Sequence, residues 1–345
     1  MYTAVPPGDA KSRDGPADFT GERGVMRSYL LRWSALAGML VCVGMQGWAQ
    51  LPDFYKRMGG GIWVVKDASR AVAAWRKVGL EEIRDQGRIT LDGPGRLRGR
   101  FIAGRLGSFS VEILQPNPGD AAYDAFLQHH GDGIFALFFV APDAQQVERE
   151  TARLGGLGVR VLHTLRTANA RYTFFDTEPA GKYVLALVSG QQAEPGAGQA
   201  KVTHVGLVIR KAAPVSEFWH RLGFPEMSLA NATPREDGRY HGKPLLLPFV
   251  VGWQNYSHPT FEWIIPPQDP SNCYDDFLRA HGEGVQHIGV PVDNLESALE
   301  RYAKLGWSPV QSGAWGDVGK PNSGRYAYMD TDALGVSLEL IHAIH

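Results

Sequence analysis

The chain has 345 residues, of which 44% are hydrophobic and 21% charged, and its formal net charge is −1. That is an ordinary globular composition, long enough for about two domains. A charge so near zero gives no electrostatic reason to expect a nucleic acid or an anionic membrane as partner, and two cysteines build no disulfide framework.

Residues 1–25 are polar, Pro/Gly-rich and aperiodic, the composition of a disordered or untranslated stretch. From Met26 the pattern changes. Arg27 and Arg32 make a positive region, SALAGMLVCVGM is an apolar run too short to span a bilayer comfortably, and Gly47-Trp48-Ala49 puts small residues at positions −3 and −1 of a cleavage site. Residues 26–49 therefore read as an export signal, which predicts a periplasmic or secreted protein starting near Gln50, without stable membrane insertion after cleavage. An uncleaved signal that anchors the chain is the alternative. Val41 before Cys42 argues against a lipid-anchored cysteine, and with Cys42 removed Cys273 has no disulfide partner.

Beyond the signal the chain repeats itself. GGGIWVVKDASRAVAAWRKVGL, from Gly59, aligns with THVGLVIRKAAPVSEFWHRLGF, from Thr203, so that Trp75 meets Trp219 and Gly79 meets Gly223. AAYDAFLQHHGDGIFALFFVAPD, from Ala121, aligns with NCYDDFLRAHGEGVQHIGVPVDN, from Asn272. ARYTFFDTEPAGKYVLALV matches GRYAYMDTDALGVSLELI, with Asp176-Thr177 against Asp330-Thr331. The chain is a tandem duplication, with domains over 57–188 and 201–345 joined by a Gly/Ala/Gln/Pro linker over 189–200. Each half divides again. HVGLVIR and HIGVPVD are short β-branched runs that lead into amphipathic helices. In the second helix Leu295, Leu299, Tyr302 and Leu305 share a face, with Asp293 or Asn294 available as cap. Further strands end in FEWII and SLELI, so the predicted unit is βαβββ, four times over, in an α+β fold.

Four polar residues stand out on the first and last strands of the two C-terminal units: His204, Glu262, His287 and Glu339. Alternation puts Val205, Leu207 and Ile209 on one face and His204 with Gly206 on the other; His287 likewise shares its face with Gly289. Each glycine clears space beside an imidazole. Glu262 opposes Phe261 and Trp263, and Glu339 opposes Leu338 and Leu340. A carboxylate buried unpaired on such a strand costs several kcal/mol. Two Glu and two His on related strands relieve that cost together by binding one divalent metal, and an N2O2 set suits Zn, Ni, Co, Mn or Fe(II).

The βαβββ repeat and this quartet resemble the vicinal oxygen chelate superfamily, which includes glyoxalase I, methylmalonyl-CoA epimerase, extradiol dioxygenases and bleomycin or fosfomycin resistance proteins. The resemblance covers about Met58 to His342, and HGEGVQHIGVPVDNLE with DTDALGVSLELI is most similar to the epimerase and glyoxalase-like branches. It implies two glyoxalase/bleomycin-resistance-like domains, each a cupped sheet of two units, with ligands from the first and last strands. The equivalents of the quartet in the first half are Gly60, Glu112, Ala136 and Leu185, so that domain reads as a degenerate copy.

The leading expectation is metal-assisted proton abstraction next to a carbonyl, by a lyase or isomerase acting on a small carbonyl or vicinal-oxygen compound. Similarity suggests Glu339 as the base and Glu262 as ligand or second base. One alternative is an Fe(II) ring-cleaving dioxygenase using His204, His287 and Glu339, with His258 or Tyr326 as supporting groups and Glu262 as the discordant fourth donor. A non-catalytic binding or resistance protein is the other. A homodimer is compatible with each. Other residues read as structural: His129, His130 and His281 as local hydrogen-bonding groups, His220 as a surface residue, Cys273 as a buried thiol, and Arg96, Arg98 and Arg100 as a solvated strand edge. MGGGI lacks the Lys and Ser/Thr of a phosphate loop.

Overall fold

The computed structural model describes residues 51–92, 99–190, 201–233, 235–317 and 319–344. The stretch 1–25, the signal 26–49, Arg96, Arg98 and most of the linker lie outside the described residues. After a 3₁₀ turn at Asp53–Lys56, the first half runs β1 (Met58–Val64), α1 (Ala68–Lys77), β2 (Glu81–Arg88), β3 (Thr90–Asp92), β4 (Gly99–Leu106) and β5 (Phe109–Pro116). It continues with α2 (Ala121–His129), β6 (Gly133–Val140), α3 (Ala144–Gly156), β7 (Val161–Arg166), β8 (Ala170–Phe175), α4 (Glu178–Gly181) and β9 (Val184–Gly190). The second half runs β10 (His204–Val208), α5 (Ala212–Arg221), β11 (Ser228–Ala232), β12 (Arg239–Tyr240), β13 (Lys243–Pro244), β14 (Phe249–Gln254) and β15 (Thr260–Ile265). Then come α6 (Cys273–His281), β16 (Gly284–Pro291), α7 (Leu295–Lys304), β17 (Pro309–Trp315), β18 (Ser323–Met329), a 3₁₀ turn at Asp332–Leu334 and β19 (Ser337–Ile344).

The βαβββ unit is present four times. Polar side chains take up free backbone N–H groups where several helices start: Asp67 caps α1, Asp143 caps α3, Asn272 caps α6 and Asn294, rather than Asp293, caps α7, whereas α5 follows Lys211 without a side-chain cap. The additions are α2 and α6 between units, the strand β3 and the hairpin β12–β13. Ser189 and Gly190, two residues into the stretch read as linker, continue β9, because they pair with Arg171 and Ala170 of β8.

Each half folds into one curled sheet, ordered β2-β4-β5-β1-β6-β9-β8-β7-β3 in the first and β11-β14-β15-β10-β16-β19-β18-β17-β12-β13 in the second. The centre of both has the same logic. The first and last strands of each unit pair in parallel, and the two first strands pair antiparallel. In the first half β2 and β3 are separated by Ile89 alone yet pair with opposite edges, so the sheet nearly closes on itself. In the second half the corresponding strands β11 and β12 are separated by residues 233–238.

The outward faces of both sheets and the helices α1, α3, α5 and α7 share one apolar core. Tyr183 stacks on Trp219 with centroids 4.6 Å apart, and Trp219 Nε1 donates to the Gly181 carbonyl at 3.0 Å. His130 and His281, expected to act locally, join the halves instead. His130 Nδ1 lies 2.6 Å from the His281 carbonyl and His281 Nδ1 lies 2.7 Å from the His130 carbonyl. The equivalent helix ends face one another across the pseudo-twofold, so each ring reaches the other's backbone. Arg100 is engaged by Asp85 at 3.0 Å and by Ser69 at 2.8 Å, Cys273 is buried, and His220 is partly exposed at the end of α5.

Candidate metal centre

The four central strands of the second sheet, β15-β10-β16-β19, each carry one residue of the quartet into its concave side. On β10, Val205 and Leu207 enter the shared core, while His204, Gly206 and Val208 face inward, the pleat alternation the sequence shows. Parallel pairing sets Glu262 beside Gly206 and Glu339 beside Gly289, and antiparallel pairing sets His287 opposite Gly206. The four side chains therefore converge.

Their donor atoms all lie within 4.8 Å of one another. His204 Nε2 is 3.2 Å from His287 Nε2, 3.4 Å from Glu262 Oε2 and 2.8 Å from Glu339 Oε2. His287 Nε2 is 3.0 Å from Glu262 Oε2 and 3.6 Å from Glu339 Oε2. Donors about 2.0–2.2 Å from a common ion are spaced about 3–3.5 Å apart, close to the separations of 2.8–3.6 Å around the two imidazole nitrogens. Glu339 Oε2 is buried, and the imidazoles of His204 and His287 are its ion-pair partners, at 2.8 and 3.6 Å, without a hydrogen bond to it. An anionic oxygen left in that state calls for a cation. The group can hold one metal ion, and it is the one such convergence of three or more His, Cys, Asp or Glu donors among the described residues.

The surroundings orient the donors. His287 Nδ1 lies 2.7 Å from Gln286 Oε1; an amide oxygen only accepts, so the proton sits on Nδ1 and the Nε2 lone pair points into the cluster. His204 Nδ1 is 3.3 Å from the Thr203 hydroxyl. A Cβ on Gly206 would lie 1.8 Å from His287 Cε1, and one on Gly289 would lie 2.4 Å from His204 Cε1, so both glycines are required for the imidazoles to fit. Burial pulls His204 down, yet Glu262 and Glu339 outweigh it and hold His204 above the usual histidine range. Burial pushes Glu339 up, but the imidazoles of His204 and His287 and the Tyr328 hydroxyl keep its carboxyl below the usual range.

Of the two groups expected to support the rival site, His258 is exposed, bridges to Arg57 and accepts through its carbonyl from Met58 N at 3.1 Å, away from the quartet. Tyr326 lies on the concave side, where burial and then Glu339 push its hydroxyl up. The residues that sequence reasoning missed are Gln286, Tyr274 and Tyr328. Tyr274 donates to Tyr328 at 3.0 Å, and the Tyr328 ring meets His287 edge-on at 4.9 Å. A signal existed in the repeat alignment, where the AYMDT around Tyr328 matches TFFDT with Phe174.

The first half confirms the register for Gly60, Glu112 and Ala136 but corrects Leu185. Glu339 pairs with Gly289, whose counterpart Phe138 pairs with Ala186, so Ala186 is the equivalent and Leu185 faces the shared core. The cause is α4, one residue longer than the turn at Asp332–Leu334. Its left-handed cap Lys182 (φ 68°) matches Gly335 (φ 65°), each four residues before the site position.

Residues 203–328 match the family model described as Glyoxalase/Bleomycin resistance protein/Dioxygenase superfamily. Among solved structures, a mutant of 4-hydroxymandelate synthase from Streptomyces coelicolor superposes with a TM-score of 0.58 at 16% identity, over 84% of this chain and 94% of that one. A Mn(II)-bound glyoxalase from Novosphingobium aromaticivorans gives 0.46 at 13% identity, over 84% of this chain and 83% of that one. A fusion of a xylose isomerase-like TIM barrel with 4-hydroxyphenylpyruvate dioxygenase gives 0.48 at 12%, over 84% and 49%. The first of these likenesses establishes the fold across both halves. No curated protein matched the chain by sequence.

Proposed function

We propose that the protein, whose residues 203–328 match the glyoxalase/bleomycin resistance protein/dioxygenase superfamily model, is a metal-dependent enzyme that removes a proton from the carbon next to a carbonyl, a lyase or isomerase of the glyoxalase type. The observation that carries this reading is the convergence of two imidazoles and two carboxylates on the concave side of one sheet. His204, His287, Glu262 and Glu339 would hold the ion. A bound divalent cation supplies Lewis-acid stabilisation of negative charge developing on a substrate oxygen. The chain supplies the rest. The imidazoles are fixed by Gln286 and Thr203, a carboxylate that releases the ion takes the proton, and the half-exposed Phe249, Val251 and Trp253 offer an apolar wall beside Glu262. The export signal read in residues 26–49 belongs to the same proposal: outside the cytoplasm, a free small carbonyl or vicinal-oxygen compound fits better than a glutathione or CoA thioester.

The test is solvent exchange. Protein loaded with Zn, Mn, Ni, Co or Fe(II) is incubated in D2O with a panel of 2-oxo and 2-hydroxycarbonyl compounds, and deuterium entry at the adjacent carbon is followed by NMR. Exchange that needs the metal and is lost in Glu262→Gln or Glu339→Gln supports the proposal. Oxygen uptake with Fe(II) and a catechol, without exchange, would replace it with the dioxygenase. One observation favours that second reading: Tyr328 stands directly across the strand pair from Glu339, whereas Trp253 stands across from Glu262, leaving two His and one Glu as the better-held set. Metal bound with neither reaction would leave a binding protein.

A further inference from the structure

Resting on that reading of the centre, we infer that Tyr328 is a positioning residue that fixes Glu339 as the resident ligand and leaves Glu262 as the carboxylate free to leave the ion and take the proton. This reverses the roles that similarity suggests.

Tyr328 stands directly opposite Glu339 across the β18–β19 pair, and both face the concave side. Its oxygen already accepts a hydrogen bond from Tyr274, at 3.0 Å, and both rings are buried. The Tyr328 proton is therefore available to another acceptor, and the buried carboxyl directly opposite it across the strand pair is Glu339. The same ring packs edge-on against His287, so one side chain lies against one donor and directly across the strand pair from another. No tyrosine stands opposite Glu262 on either paired strand. Among the described residues its hydrogen-bond and ion-pair partners are the two imidazoles, and its cross-strand neighbour is Trp253. Its side chain is 12% exposed against 8% for Glu339, on the side where the wall opens to solvent.

The first half supplies an internal control. Phe174 occupies the place of Tyr328, opposite Ala186 in the place of Glu339. Tyr123, the counterpart of Tyr274, turns to His163 Nε2 at 2.8 Å. The hydroxyl accompanies the carboxylate it serves, and both are missing where no quartet exists.

The experiment is a double-mutant cycle on metal affinity, read by competition of Zn(II) or Co(II) with a chromophoric chelator, so that no substrate is needed. Tyr328→Phe should weaken binding about 10- to 100-fold and shift the visible Co(II) spectrum. It should cost nothing further in a Glu339→Gln background and its full amount in a Glu262→Gln background. Glu262→Gln alone should cost less than Glu339→Gln alone. Tyr274→Phe should show a smaller loss of the same kind, and Tyr123→Phe none. An equal Tyr328→Phe effect in both backgrounds would reduce the residue to a packing role, and a larger loss in Glu262→Gln than in Glu339→Gln would overturn the assignment. Circular dichroism checks folding; if Tyr328→Phe does not fold, Tyr274→Phe carries the same cycle. A wild-type chain that binds neither ion overturns the metalloenzyme reading itself, an outcome distinct from any pattern among the variants.

Discussion

The two halves share their topology and their central register, yet one holds four converging donors and the other is packed with hydrocarbon. The exchange is made in cross-strand pairs. Where the second half sets His204 opposite Gly289, the first sets Gly60 opposite Phe138; where the second sets His287 opposite Gly206, the first sets Ala136 opposite Ile62. Each large–small pair is reversed, so the volume between the strands is roughly kept while the nitrogen donors are lost. Ala186 for Glu339 and Phe174 for Tyr328 complete the change. Phe135, Phe138, Tyr172 and Phe174 fill the first cup, and Ile89 draws its edges together. A duplicated fold can thus lose a site without opening a cavity, and the glycines beside the imidazoles belong to the site as firmly as the ligands do.

The largest expected effect breaks the comparison at those glycines. Gly206→Ala places a Cβ 1.8 Å from His287 Cε1 and 2.0 Å from Nε2. The imidazole must swing away, so metal content should fall from about one ion per chain to near none, as in His287→Ala, with the fold retained by circular dichroism. Elemental analysis decides it; full metal content in Gly206→Ala would show that the cup is looser than its packing implies. Chelation of the wild type should act in the same direction through linkage, lowering unfolding stability by about 3 kcal/mol when free metal had been near 100 times its Kd.

The next effect concerns the one donor both halves keep. Glu112 is buried in the filled cup, accepts from the Tyr172 hydroxyl at 3.0 Å, and is pushed up to about 8 by burial, which its hydrogen bonds and Arg105 only partly offset. Unfolded, a glutamate ionises near 4.5. Between those values the folded chain holds the extra proton, so stability should fall as pH rises through the window and level off above it. At ~1.4 kcal/mol per unit, the total is a few kcal/mol. Glu112→Gln removes the slope, so urea unfolding at pH 5 and pH 9 should show the variant gaining on the wild type at pH 9 alone. A parallel pair of profiles would mean that water reaches Glu112.

Much of this was legible because strand alternation and helix capping are local. Trp75 and Trp219 mark equivalent helices, and a polar residue on the wrong face of an apolar strand exposed all four of His204, Glu262, His287 and Glu339. The rest depended on irregularities that alternation cannot carry. Between Gly206 and Leu207 the pairing shifts from His287 to Val285, so Gln286 is an extra residue in a bulge and turns its amide to His287. A strict period of two assigns it to the opposite face. The longer turn at α4 hid Ala186 behind Leu185. Tyr274 and Tyr328 looked like ordinary apolar positions because a tyrosine's hydroxyl has no periodicity; only its partner gives it meaning.

The smallest expected effect asks whether the empty half shapes the filled one. His130 and His281 exchange ring-to-carbonyl contacts at 2.6 and 2.7 Å, and each ring also leans on its own helix, on Phe126 and Phe277. Each contact uses the ring of one residue and the backbone of the other, so removing one ring leaves the second contact in place. His130→Ala and His281→Ala should therefore each cost about 1 kcal/mol of unfolding stability, and the double variant should cost close to their sum. A double variant much worse than the sum would mean that the pair holds the halves as a cooperative latch. Metal content measured on the same samples separates scaffold from site. One ion per chain in all three variants leaves the cup self-sufficient, whereas a graded loss would show that docking of the copy without a quartet holds β16, and with it His287, in register.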